Sequence, residues 1–513
     1  MAEHPDVTQP MFEELKRINE KKDLRITDED LKSFQSLVND HVGDYNFVKD
    51  YKNPESTILG ERSFYHPKAE ENSHNAWYVK CDIKGSDHGK LLNKRIGIKD
   101  NTAVANIPMM NGSAVMEGYT PEFDATVVQR ILQHGGNIVG KTVCEDLCFS
   151  GASFFTKYGP VMNPLNKAHS AGGSSGGSGA LVALGEVDMA IGGDQGGSVR
   201  IPASNCGIVG LKPTHGLVPY TGAVPICPAV DHLGPMTKNV SDCALFLECI
   251  AGYDNGFDCR QPPSLIVPEY SKLIYPHTKP SEKIKVAVLK EGVELCDESV
   301  REVFNKAVEC LRKNEMLEVS KISFPRHVDA GKVFGPMVFA GAYGNMVQGC
   351  GYGTSIKGVQ SHTLVDKLRT GFKEHSHELS PGMKLGVLLG EYVQETHGPY
   401  HYAKASTLLS HMTLQYNSLL EQYHVLIMPT LTKTPAVIPG AYVDLIEQCD
   451  RAFNMIENTG LFDATGHPAL SLNCGFYKDL PVGLQIVGKH FDEVGVLNAA
   501  SIFEESLSTL SKK

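Results

Sequence analysis

Residues 169–204 read HSAGGSSGGSGALVALGEVDMAIGGDQGGSVRIPAS. A Gly/Ser-rich tract is ordinarily a solvated linker without chemistry. This one runs straight into the apolar GALVAL, then into the strand-like VDMAIGG, and then into a second glycine pair ending on Ser198. A linker would not lead directly into a buried helix. Glycines permit positive φ and close approach of the backbone to another group. A glycine-rich turn at a helix N-terminus also presents free N–H groups to an anion or a developing negative charge. A tight Gly-Gly turn closing on Ser198 exposes a hydroxyl and aims successive amides at one point, as an oxyanion hole requires. The stretch therefore constrains the chain to a packed core with a reactive turn at its heart.

The rest of the chain fits an α/β body. The chain has 513 residues, enough for about three domains or fewer large ones. Hydrophobic content of 42% and charged content of 21% are those of an ordinary soluble globular protein. Strands are expected at 95–99, 137–143, 187–193, 283–289, 424–429, 469–474 and 482–488, alternating with helical patterns. Residues 8–45 read as helical, with Phe12, Leu15 and Ile18 at helical spacing and a capping box at Thr27 and Asp30. Residues 50–85 read as a connecting stretch. Residues 282–325 form a strand–helix–strand unit, and residues 360–420 read as mostly helical. The expected organisation is an N-terminal helical extension (1–88), a core (89–281 and 326–513) and a small inserted α/β subdomain (282–325). No internal repeat is seen.

Partners are bounded by charge and by what is missing. A net charge of −11 argues against nucleic acid, which needs concentrated Lys and Arg. Basic clusters such as Lys21-Lys22 are interrupted by acids and read as solvated faces. The N-terminus has no apolar signal region, and no run of 18 apolar residues suggests a membrane span. The 13 cysteines fit reduced, buried thiols and a cytoplasmic compartment. Cys144 and Cys148 are spaced to share a helix face, with no second pair at zinc spacing, so no metal is expected. Asp254 to Asp258 resemble a calcium loop only faintly and lack the required Glu.

A serine nucleophile needs a base. His169, His215 and His232 lie nearby in sequence, but spacing favours none, and no G-x-S-x-G elbow is present. A buried, neutral lysine is the alternative. Lys99 ends the strand RIGIK and precedes Asp100-Asn101, although residue type alone also fits a snorkelling structural lysine. His467 is assigned no chemical role. The Met and aromatic residues between 337 and 352 fit either an acyl pocket or plain core.

GGSSGGSGALVALG, a strand, then GGDQGGSVRIPASNCGIVGLKPT, with IGIKDN upstream and TGHPALSL and PVGLQIVG downstream, resembles the amidase signature family over roughly residues 90–490. The GGDQGG form and KPTHGLVPYTG are most similar to soluble bacterial-type amidases of broad specificity. The resemblance implies the family's α/β fold, a mixed β-sheet core covered by helices. It implies a Ser–cis-Ser–Lys triad: Ser198 as nucleophile, Ser174 as proton relay, Lys99 as base. It further implies an oxyanion hole at Gln195, Gly196, Gly197 and Ser198. Ser175, Asp194 and Gln195 are candidate substrate contacts, with a structural Asp194–Arg200 ion pair as the competing reading. The implied function is hydrolysis of small carboxylic amides through an acyl-enzyme, without cofactor, membrane or nucleic acid, by a homodimer joined through its N-terminal helices. Carbamate or fatty acid amide hydrolysis, the glutaminase subunit of a tRNA amidotransferase, and a non-catalytic binding module are the alternatives.

Overall fold

The computed structural model describes residues 4–51, 58, 61–353, 356–508 and 510. Two compact units are seen, 1–57 and 58–513. In the first, helices Phe12–Lys21 and Asp28–Asp50 pair through Lys16–Asp28 and Gln35 Nε2 to Pro10 O. Thr27 Oγ1 accepts the Asp30 N–H, as the capping pattern expects.

The second unit is built on one mixed sheet. Its strands are β1 (Phe64–Tyr65), β2 (Trp77–Lys84), β3 (Arg95–Lys99), β4 (Asn137–Thr142), β5 (Met189–Asp194) and β6 (Val209–Lys212). They continue with β7 (His232–Thr237), β8 (Ile284–Leu289), β9 (Leu317–Ile322), β10 (Val425–Pro429), β11 (Ala469–Tyr477) and β12 (Leu480–Val487). The order across the sheet is β1-β2-β4-β3-β5-β7-β6-β11-β12-β10-β8-β9. Pairs β3–β4, β3–β5, β8–β10 and β8–β9 are parallel, and the rest are antiparallel. Helices such as Gly176–Leu184, Val240–Ile250, Glu298–Leu311 and Glu493–Ser506 pack against it, so the central strands are buried on both faces.

All seven expected strands are present within a few residues. Four more lie where none was expected. β1 and β2 fall within 50–85, so that stretch supplies sheet edge as well as connection. β6 and β7 flank the reactive turn. The strand–helix–strand segment 282–325 does not stand apart from the sheet: β8 and β9 extend it beyond β10. The 360–420 region is three helices, His362–His375, Pro381–His397 and Tyr400–Gln422. Cys144 and Cys148 share no α-helix; Cys148 ends a short turn, Asp146–Cys148, in which Leu147 and Cys148 both have positive φ.

The only tryptophan of the chain, Trp77, is buried in β2, where its ring lies over Gly140 and its Nε1 donates to Glu186 at 2.7 Å. Trp77 pairs with Thr142, and Thr142 pairs with Lys99 in the next strand.

Candidate active site

β3 and β5 are neighbouring parallel strands, and their C-terminal ends carry the two reactive segments. Lys99 is the last residue of β3 and is fully buried. Its Nζ lies 2.8 Å from Ser174 Oγ and donates to Gly193 O at 3.2 Å. Ser174 follows a cis peptide bond with Gly173. Its carbonyl accepts the N–H of Glu145 at 3.1 Å. The glycine tract is not a free anion cradle: Gly177 N–H is taken by Val143 O and Gly179 N–H by Ser175 O. Its glycines instead let the helix Gly176–Leu184 meet the sheet, since a Cβ on Gly177 would sit 2.5 Å from Ala76 O.

Ser198 lies in the turn between β5 and the helix Arg200–Cys206. Its carbonyl accepts the Ser175 N–H at 3.3 Å, joining the two serine segments. Asp194 closes the turn from inside. It accepts from Gly197 N (2.6 Å), Val199 N (3.1 Å) and the Arg200 guanidinium (3.0 Å). Burial alone would raise the Asp194 carboxyl, but the Arg200 charge and hydrogen bonds hold it well below the usual carboxylate range. Arg200, also fully buried, reaches on to Asp463 (2.7 Å), Gln485 (2.8 Å) and Thr459 O (3.0 Å).

Three of the expected roles meet physical obstacles here. Asp194 is filled by the loop amides and Arg200, which leaves it no part in touching a substrate. Ser175 Oγ is engaged with Gly193, donating to its O at 3.1 Å and accepting its N–H at 3.2 Å. Gly197 N–H is spent on Asp194. Among the described residues, the N–H groups of Gln195, Gly196 and Ser198 have no acceptor, and these three amides sit in the turn that carries Ser198. Thr459 Oγ1 donates to Gly196 O at 2.7 Å and so orients that peptide.

The Gln195 side chain is held in one sense. Tyr220 OH gives its proton to Val224 O, so it accepts from Gln195 Nε2 at 3.0 Å. Gln195 Oε1 is left buried with no partner, and so is the nearby Asn101 Nδ2. Both amides lie around Gly193 with Lys99 Nζ. Phe334, from the helix Ala330–Ala342, lies against Gly196 on an apolar cluster that includes Met337 and Met346.

None of the nearby histidines bonds to either serine. His215 Nε2 meets Pro228 O, and His232 meets Val230 O and Lys212. His467 meets Thr465 and Asn417. The Asp254–Asp258 turn is structural: Asp258 pairs with Arg260, and Asp254 accepts from Thr221. No group of His, Cys, Asp or Glu able to hold a metal occurs among the described residues. Asp463, Gln485, Thr459 and Tyr220 are not singled out by the sequence. Gln485 and Tyr220 lie inside motifs that carry the resemblance, whereas Asp463 stands in none of them.

The comparisons with known proteins agree on this body. The family model described as Amidase matches residues 62–497. An enantioselective amidase of Rhodococcus rhodochrous is 44% identical over 453 residues, covering 87% of this chain and 86% of that one. A glutamyl-tRNA(Gln) amidotransferase subunit of Methanosarcina acetivorans is 35% identical over 443 residues, covering 85% and 88%. The crystal structure of the same subunit from Thermotoga maritima superimposes with a TM-score of 0.68 at 27% identity, covering 84% of this chain and 88% of that one.

Proposed function

The chain belongs to the amidase family, and on that premise we propose that it hydrolyses small carboxylic amides to acid and ammonia or amine, with Ser198 as nucleophile, Ser174 as relay and Lys99 as base. The observation that carries the roles is the 2.8 Å contact between Lys99 Nζ and Ser174 Oγ, both fully buried. The neutral Lys99 amine takes the Ser174 proton as Ser174 takes that of Ser198. Ser198 attacks the amide carbon, and the oxyanion forms against the open N–H groups of Gln195, Gly196 and Ser198. The proton returns through Ser174 to the leaving nitrogen, and water releases the acyl group by the reverse relay. Gln195 Oε1, a buried acceptor without a donor, suits a substrate N–H. None of these steps draws on a metal or an organic cofactor.

Lys99→Ala should lower kcat by about a thousandfold or more, and wild-type activity should rise with pH as the amine loses its proton. Ser198→Ala should abolish labelling by a fluorophosphonate. Near wild-type turnover of Lys99→Ala, or full labelling of Ser198→Ala, would reassign the roles. The 35% identity to an amidotransferase subunit favours a second reading, in which ammonia is passed to a tRNA-bound acceptor. Turnover of benzamide by the purified chain alone separates the two.

The same reading takes the enzyme as a cytoplasmic homodimer. Unpaired thiols support the compartment: the 13 cysteines are free. Exposed Ile18, Phe34, Leu37, Phe47 and Val48 on the N-terminal helices support the pairing. Light scattering should return twice the chain mass of 55.9 kDa; a single-chain mass would remove the dimer.

A further inference from the structure

The backbone beneath Lys99 adopts a conformation that side chains disfavour. Asn111, Leu147 and Cys148 have φ of 50°, 47° and 60°, in the left-handed region. Asn111 N–H is held by Asp100 Oδ2 (2.8 Å), and Asn111 O accepts from Leu147 N (3.0 Å). Cys148 N–H goes to Glu145 O (2.9 Å), whose own N–H holds the Ser174 carbonyl. The result is a fully buried thiol beside the pair that moves the proton. Cys148 Sγ donates to Asn111 Oδ1 at 3.1 Å, and Cys144 Sγ shares that acceptor at 3.5 Å. The Cys148 sulfur is in electrostatic contact with both Lys99 and Ser174.

A neutral amine has two N–H groups and one lone pair. Gly193 O takes one N–H of Lys99. The lone pair must face Ser174 if that hydroxyl is to surrender its proton. The second N–H has no other acceptor among the described residues. We propose that Cys148 is a positioning residue: with its own proton given to Asn111, its sulfur takes the second N–H of Lys99 and turns the lone pair onto Ser174. The proposal rests on Lys99 being the base. The other titratable groups around this contact are Asp100 with Lys141, Cys144, Glu145, Asp146 and Tyr220.

Cys148→Ala and Cys148→Ser test it, with kcat, KM and pH profiles measured on benzamide and folding followed by thermal unfolding. Cys148→Ala should lower kcat by about tenfold, the weight of one well-placed hydrogen bond, with KM within about twofold. Its rising pH limb should move to lower pH, because a lost acceptor weakens the ammonium more than the amine. Cys148→Ser should restore most of the rate and the original limb, since a hydroxyl both donates and accepts. Wild-type rate and limb in Cys148→Ala overturn the proposal. So does a slower Cys148→Ala variant whose limb is unmoved, which marks a merely structural residue. If Lys99→Ala stays active, it is the base assignment that fails. If Lys99→Ala is dead while Cys148→Ala is wild-type in rate and limb, only the positioning role fails.

Discussion

Glu145 joins the site to the stability of the fold. Its carboxyl is buried against Ser150 and Phe155 N–H, with Oε2 unpartnered. Burial pushes it from 4.5 up to about 8, against the opposing pull of those hydrogen bonds. The folded chain therefore keeps a proton that the unfolded chain releases above 4.5, and stability from this group is lost as pH rises through 8. Glu145→Gln removes the ionisation. Its melting temperature relative to wild type should be higher at about pH 8.5 than at about pH 5. An equal difference at both pH values would mean that Glu145 ionises normally in the fold. The contrast with Lys99, Ser174 and Ser198 shows what a sequence discloses at this scale. Those three announce themselves because each sits in a contiguous motif whose residue types suit the chemistry. The Arg200 network is closed by Asp463 and Gln485, more than 250 residues away, and no local pattern announces a carboxylate that will meet a guanidinium only after folding. In the sequence Asp194 fits both a substrate contact and an ion pair; the packing around Arg200 leaves only the second.

At the scale of elements, β-branched runs are legible in the sequence and interrupted ones are not. IKVAVL and VLIMP become β8 and β10 because branched side chains suit a sheet buried on both faces. β7, HLGPMT, hides behind Gly234 and Pro235, which normally argue against a central strand. It is central all the same, with Pro235 opposite Ile191 and a Cβ on Gly234 only 2.0 Å from Leu211 O. Glycine in the helix Gly176–Leu184 follows the same logic. Gly→Ala in a helix usually gains about 1 kcal/mol. At Gly177 the added Cβ would lie 2.5 Å from Ala76 O and 2.6 Å from Val143 N, backbone atoms of the segments leading into and out of β2 and β4. Overpacking of that kind costs about 1–3 kcal/mol or more, so the sign reverses. Gly177→Ala should lower the urea midpoint, and a raised midpoint would show that this helix can shift away from the sheet.

Across the whole molecule, function follows from strand order. The sheet sets β3 beside β5, so the base and the nucleophile turn, about a hundred residues apart in sequence, leave adjacent strand ends. Alternation of strands and helices makes a helix-covered sheet legible, but not which strands will be neighbours, because mixed pairing depends on crossovers that no local pattern specifies. The expected subdomain at 282–325 illustrates this. Its strand–helix–strand pattern is present, yet whether it stands alone depends on the edge of β10, far away in sequence.

Trp77, Thr142 and Lys99 occupy one row across three strands, which puts the indole two strand spacings, about 10 Å, from the lysine's backbone. Because no second indole competes with it, the chain has a native optical probe in line with its reaction centre. Ligand titrations and melting of the 58–513 unit can therefore be followed by emission from the unlabelled enzyme.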